Sequence, residues 1–108
     1  MIAGPYTGHS KNKSDWDNNH QILNEYAYKV FLKGHIPVLG VNVALPIIDT
    51  VGFEKYDELM MPISLAMAEK CDAVFRIGVP SKDADEEVDI FKSKGLPIYY
   101  GLVEIPIV

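Results

Sequence analysis

Ala73-Val-Phe-Arg-Ile77 restricts the fold more than any other stretch of this chain. It is short and almost continuously apolar, it ends at Gly78 and Pro80, and a helix-forming stretch follows at once. A strand with one wet face alternates apolar and polar residues, whereas a strand buried on both faces does not. Ile36-Pro-Val-Leu39 and Pro97-Ile-Tyr-Tyr100 are runs of the same kind, and Met1-Ile-Ala-Gly-Pro reads as the tail of another strand entering a sharp turn. The order β-α-β-α-β-α-β with such strands predicts a parallel sheet. Right-handed crossovers then make it a small, doubly wound, flavodoxin-like α/β domain of four or five strands with helices on both faces.

The helices come from spacing and punctuation. After a polar loop over Thr7 to Ser14, Asp15 or Asp17 is the expected N-cap of a first helix. Ile22, Leu23, Tyr26, Ala27, Val30 and Phe31 recur at helical spacing, and Gly34 closes it. Pro37 stands near the start of its strand, where a missing donor costs least. Gly40, Pro46 and Gly52 break up residues 40 to 53, which predicts an irregular loop with at most one short turn. Phe53 to Lys70 predicts the second helix, interrupted or restarted near Pro62, and Asp83 to Ser93 the third, capped by Gly95. Leu102 to Val108 is expected either as an edge strand or as a tail docking on a partner. The first strand is so short that either a few residues are missing before it or a partner covers that edge. Tyr26 and Tyr28 point to different faces of the first helix, so at most one of them is core.

A chain of 108 residues holds one core but not two, so residues 1 to 108 are expected as one domain. A net charge of −5 argues against a nucleic acid polymer or an anionic membrane surface as partner. The single cysteine, Cys71, excludes an internal disulfide and reads as a packed thiol. His9, His20 and His35 lack metal-ligand spacing, so no metal is expected. No apolar run approaches the roughly 18 residues of a membrane span and no signal peptide is visible, so a cytoplasmic location is expected.

Ligands of open parallel sheets sit outside the carboxyl ends of the strands, where the strand order reverses. The loops expected to meet there are Gly4 to Ser10 and Gly78 to Asp85. The first is short-sided, so its backbone can approach a ligand closely. The second offers Ser81 and the free N–H groups of a helix start, which can hold an anion without Lys or Arg. Hydroxyls, open amides and a carboxylate together suit a sugar or sugar phosphate. Glu87 has two readings. It is a nucleophile, or it is one of four acids, with Asp83, Asp85 and Glu86, that stabilise a helix start, Asp83 and Glu86 forming a capping box. Glu87 fits the second reading less well than its neighbours do.

Several pieces of the chain resemble the nucleoside 2-deoxyribosyltransferase superfamily, including its small phage and bacterial relatives and its deoxynucleoside-monophosphate N-glycosidases. Met1-Ile-Ala-Gly-Pro-Tyr-Thr-Gly is similar to its tyrosine-x-alanine-glycine-proline opening, and Asn19, Ala27, Gly34 and Pro37 look like its first helix and second strand. Cys71-Asp-Ala-Val-Phe, then Ser81, Glu87 and Gly95-Leu-Pro-Ile-Tyr, resemble its serine–x–glycine–alanine–x–x–glutamate block. The resemblance spans nearly the whole chain. It implies cleavage of an N-glycosidic bond in a nucleoside or nucleoside monophosphate, with Glu87 attacking the anomeric carbon and water or a second base accepting the sugar. The helix N-terminus would keep Glu87 ionised. Gly4, Pro5, Tyr6, Ser81, Asp83 and Asp72 match substrate-side positions, Ser81 holding a phosphate where there is one. Tyr6 reads equally as core, Asp72 as a turn or cap, and Asn19 as a helix-start residue or a contact to the first loop. No cofactor is implied, and a homo-oligomer whose neighbours complete each pocket is.

Three positions depart from the family pattern. The tyrosine that orients the glutamate falls on Met1, the acid that protonates the departing base falls on Ser64, and a glycine of the serine–glutamate block is Asp83. Asp83 would narrow and acidify a phosphate site. Asp57 or Glu58 are the substitutes for the missing acid. Two other expectations follow from these departures: a binding module that holds a nucleotide or nucleotide-sugar without turning it over, or a structural subunit with a vestigial pocket.

Overall fold

The computed structural model describes residues 1–8 and 10–108. His9, within the expected Gly4–Ser10 loop, lies outside the described residues. Three strands, β1 (Ile2–Ala3), β2 (Val74–Arg76) and β3 (Ile98–Tyr99), form a parallel sheet in the order β1-β2-β3. The Ala73–Ile77 run therefore supplies the central strand, as its unbroken apolar character requires. Among the described residues four helices accompany it: α1 (Lys13–Leu32), α2 (Gly40–Val51), α3 (Tyr56–Ala68) and α4 (Lys82–Lys94). None of them is long and apolar enough to cross a membrane.

Side chains alternate across β2 and split the core in two. Phe75 and Ile77 join Ile2 with Leu23, Ala27 and Val30 of α1 and with Val41, Ala44 and Ile48 of α2. Val74 joins Ala3 with Ala84, Val88 and Phe91 of α4. Of the six periodic residues expected on α1, only Leu23, Ala27 and Val30 are buried, while Ile22 and Phe31 are 39% and 54% exposed. Tyr26 meets Phe75 edge-on at 5.7 Å, and Tyr28 is exposed.

Ile36–Leu39 is not a strand. It runs beside β1 but makes one backbone bond to it, from the Ile2 N–H to the Val38 carbonyl at 2.8 Å, and Pro37 has no N–H to add another. The expected loop at 40 to 53 is the helix α2 followed by a short 3₁₀ turn over Phe53–Lys55. Its Gly40, Pro46 and Gly52 suggest a break. Yet Val41, Ala44 and Ile48 fall on one face, and burying them offsets the Pro46 penalty of about 3 kcal/mol. Pro62 likewise sits inside an uninterrupted α3.

The caps shift too. Asn12, not Asp15 or Asp17, caps α1 by accepting from the Ser14 N–H at 2.9 Å. Ser81 caps α4 through the Ala84 N–H at 3.3 Å, so Asp83 and Glu86 are not a capping box and Glu87 is the sixth residue of the helix. Gly95 closes α4 at φ 68°, the left-handed cap. The carboxyl tail is not an edge strand. After a 3₁₀ turn over Leu102–Glu104, Ile105 is buried and the Val108 N–H reaches the Lys33 carbonyl at 2.8 Å, beyond the end of α1.

Candidate functional site

The carboxyl ends of β1 and β2 open into a cavity of about 140 Å³. One buried water needs only 10–15 Å³ or so, so this recess has room for more than a single water. The loop after β1 contributes Gly4, Pro5, Tyr6, Thr7 and Gly8 to its lining, and the start of α4 contributes Ser81, Lys82, Asp83 and Glu87. The two loops meet because Gly78, at φ 81°, turns the chain after β2 where a Cβ would come within 2.9 Å of the Pro5 ring. The expected residues Gly4, Pro5, Tyr6, Ser81, Asp83 and Glu87 are thus brought together.

Asp72 is not among them. It precedes β2, at the amino end of the sheet, and the cavity lies at the carboxyl end. Asp57 and Glu58 are exposed on the first turn of α3 and do not line the cavity. Ser10 turns away to bind the Asp15 carboxylate at 2.7 Å. Asn19 does reach the first loop, donating from Nδ2 to the Tyr6 carbonyl at 2.8 Å.

Glu87 is only 8% exposed. Burial pushes its carboxyl up from 4.5 to about 7, with nearby Asp83 adding to the rise, while Ser64 and the Arg76 charge pull it back. Desolvation therefore outweighs any help from the helix start, and Glu87 is near half-ionised at neutral pH. Six residues into α4 it lies beyond the first turn, where the helix dipole is felt.

Ser64 has a use that spacing alone did not suggest. It is buried on α3 beside Glu87, where its side chain helps hold the charged form. It can sit there because Gly40, at the start of α2, has no Cβ; one would collide with the Ser64 hydroxyl. The glycine read as a loop breaker is a packing contact beneath the site.

Arg76 is buried behind the turn after β2. Its Nε donates to Asp85 Oδ1 at 3.2 Å, one terminal nitrogen to the Ile77 carbonyl and the other to the Val79 carbonyl at 2.8 Å. It ties β2, the turn and the start of α4 into one unit.

Tyr56, also missed in the sequence, lines the cavity with Tyr6, the rings tilted by 23° with centroids 6.3 Å apart. Burial pushes its phenol up to about 12, so it stays protonated at any working pH. Phe53 lies 5.1 Å from Tyr56 and stacks on Trp16 at 5.1 Å and 11°, extending an aromatic wall away from the cavity. An aromatic residue opening a helix near a glycine loop was the available signal for Tyr56, but it cannot be told from a core residue without the partner loop.

Among the described residues no group of His, Cys, Asp and Glu could hold a metal ion. Glu87 is thus a buried carboxylate at the inner end of an open recess, with an aromatic wall and a helix start at the rim. No protein-family model, curated protein or solved structure matches this chain.

Proposed function

We propose that this chain cleaves or transfers the N-glycosidic bond of a nucleoside or nucleoside 5′-monophosphate, with Glu87 as the nucleophile. One observation carries the reading: a carboxylate 8% exposed, raised to about 7, lines an open recess of about 140 Å³ at the carboxyl end of a parallel sheet. Buried carboxylates of this kind cluster at functional sites because catalytic groups need pKa values matched to their task. A Glu87 oxygen forms the C–O bond to the anomeric carbon as the C–N bond breaks, and the electron pair leaves with the base. Water or a second base, giving up a proton to the departed base, then displaces Glu87 and frees its carboxylate. Tyr6 and Tyr56 offer faces to a flat heteroaromatic ring, and the Tyr56 phenol is a standing donor to a ring nitrogen. The chemistry needs no cofactor.

The same reading makes the sheet a doubly wound, flavodoxin-like one, with 36–39 as its incipient fourth strand, and the protein cytoplasmic. It also makes the chain a homo-oligomer. In support, Phe31, Leu32, Ile36, Val103, Ile107 and Val108 are exposed at the end of α1 and along the carboxyl tail.

A second reading, a binding module without turnover, is favoured by the position of Asp57 and Glu58 outside the cavity and by Ser64 at the place of the family's acid. The test is incubation with the common deoxynucleosides, ribonucleosides and their 5′-monophosphates, following free base by chromatography. Base release supports glycosidic cleavage. A protein that releases none, but melts at higher temperature with one of these compounds, is the binding module.

A further inference from the structure

Resting on the proposed function, we infer that the cavity selects the uncharged nucleoside over its 5′-monophosphate, and that Asp83 is the residue that sets this preference. The start of a helix of this length is an anion-binding end by default, because its first N–H groups lack partners. In α4 one of those groups is already served from within the chain: the Ser81 side chain takes the Ala84 N–H at 3.3 Å, while the Ser81 carbonyl takes the Asp85 N–H at 3.0 Å as the first regular bond of the helix. Asp83, the second residue of α4, brings its own carboxylate to the cavity rim.

The cations that could offset that carboxylate are committed or remote. Arg76 spends its guanidinium on Asp85 and on the Ile77 and Val79 carbonyls, and it does not line the cavity. Lys82 lines it, but its side chain is 87% exposed and its Nζ lies 3.8 Å from Glu86. Among the described lining residues the acids are Asp83 and Glu87 and the only cation is Lys82. Burial pushes the Asp83 carboxyl up, with Glu86 and Asp57 adding to the rise and Lys82 pulling it back. A dianionic phosphate entering here meets two carboxylates and no free guanidinium. Like charges about 6 Å apart at an effective dielectric of 20–40 cost roughly tenfold to a hundredfold in affinity per pair. A ribose or deoxyribose hydroxyl in the same place can instead donate to Asp83.

The experiment compares kcat/KM and Kd of the wild type for thymidine, deoxycytidine, deoxyadenosine and deoxyguanosine with those for their 5′-monophosphates. The wild type is expected to favour the nucleoside by at least about tenfold, and Asp83→Asn to narrow that ratio by about the same factor. A wild type that prefers the monophosphate, or an Asp83→Asn protein with an unchanged ratio, overturns the inference while leaving glycosidic cleavage standing. If no nucleoside or monophosphate is either bound or turned over, the proposed function falls and takes the inference with it. Should Asp83→Asn fail to fold, the wild-type ratio and Asp83→Ser decide the matter.

Discussion

Replacing Glu87 by Gln should stabilise the fold, and by more at pH 8 than at pH 4.5. Below about pH 4.5 the wild-type carboxyl is neutral in both the folded and unfolded chain. Between 4.5 and about 7 the unfolded chain gives up a proton that the folded chain retains, so stability falls as the pH rises. Above 7 both states are ionised and the loss levels off. At about 1.4 kcal/mol per pKa unit, the rise from 4.5 to about 7 amounts to roughly 3 kcal/mol. For a domain of this size that corresponds to a Tm difference on the order of 10–20 °C. Gln is nearly isosteric and neutral throughout, so it keeps the contact beside Ser64 and escapes the penalty. Urea denaturation of both proteins at pH 4.5, 6 and 8 isolates the effect, because every other titrating group is common to the pair. Parallel stability profiles, or a difference that changes by less than about 1 kcal/mol across this range, would refute the idea that Glu87 is held in a desolvated site.

Gly40→Ala should destabilise by about 1–3 kcal/mol or more, since a Cβ there drives into Ser64; a urea midpoint near that of wild type would show that α2 and α3 are not packed as described. Arg76→Met should cost roughly 2–4 kcal/mol by leaving the Ile77 and Val79 carbonyls without their donor. It should also move the Glu87 carboxyl further up, read by carbon-detected NMR titration, and an unmoved Glu87 would deny the electrostatic link. Ser81→Ala should lose about 1 kcal/mol of cap stability by thermal melting, and little if another group caps α4. Light scattering should give at least twice the 12.1 kDa chain mass at micromolar concentration, and a monomer across that range would remove the oligomer.

Sheet polarity and the central strand were legible because a doubly buried strand leaves an unbroken apolar run, as Ala73–Ile77 does. Gly95 was legible because a left-handed cap is a local requirement of the backbone. Residues 40–51 were not, because Gly40 and Pro46 carry the local signature of a loop while the burial of Val41, Ala44 and Ile48 is a tertiary gain. The caps were misplaced by a few residues for a related reason. Asn12 and Ser81 compete with nearby Asp residues of almost equal propensity, and only the path of the chain decides between them. At the site, Gly4, Pro5, Tyr6, Ser81, Asp83 and Glu87 could be picked out because they lie on loops leaving adjacent strands. Tyr56 and the Gly40–Ser64 contact come from helices whose approach the sequence does not encode locally. Asp72 was misplaced because a residue just before a strand sits at the wrong end of a parallel sheet.

Glu87 as a covalent nucleophile is tested most directly by trapping. The protein is incubated with a 2-fluoro-2-deoxy nucleoside of whichever base it releases, quenched in acid and mapped by peptide mass spectrometry. The sugar should be found on the peptide containing Glu87, at the Glu87 side chain, and Glu87→Gln should carry none. Its base release should fall about a thousandfold or more, because no neighbouring group replaces the attacking oxygen. Base release that persists in Glu87→Gln, or a sugar attached to a different residue, would contradict it.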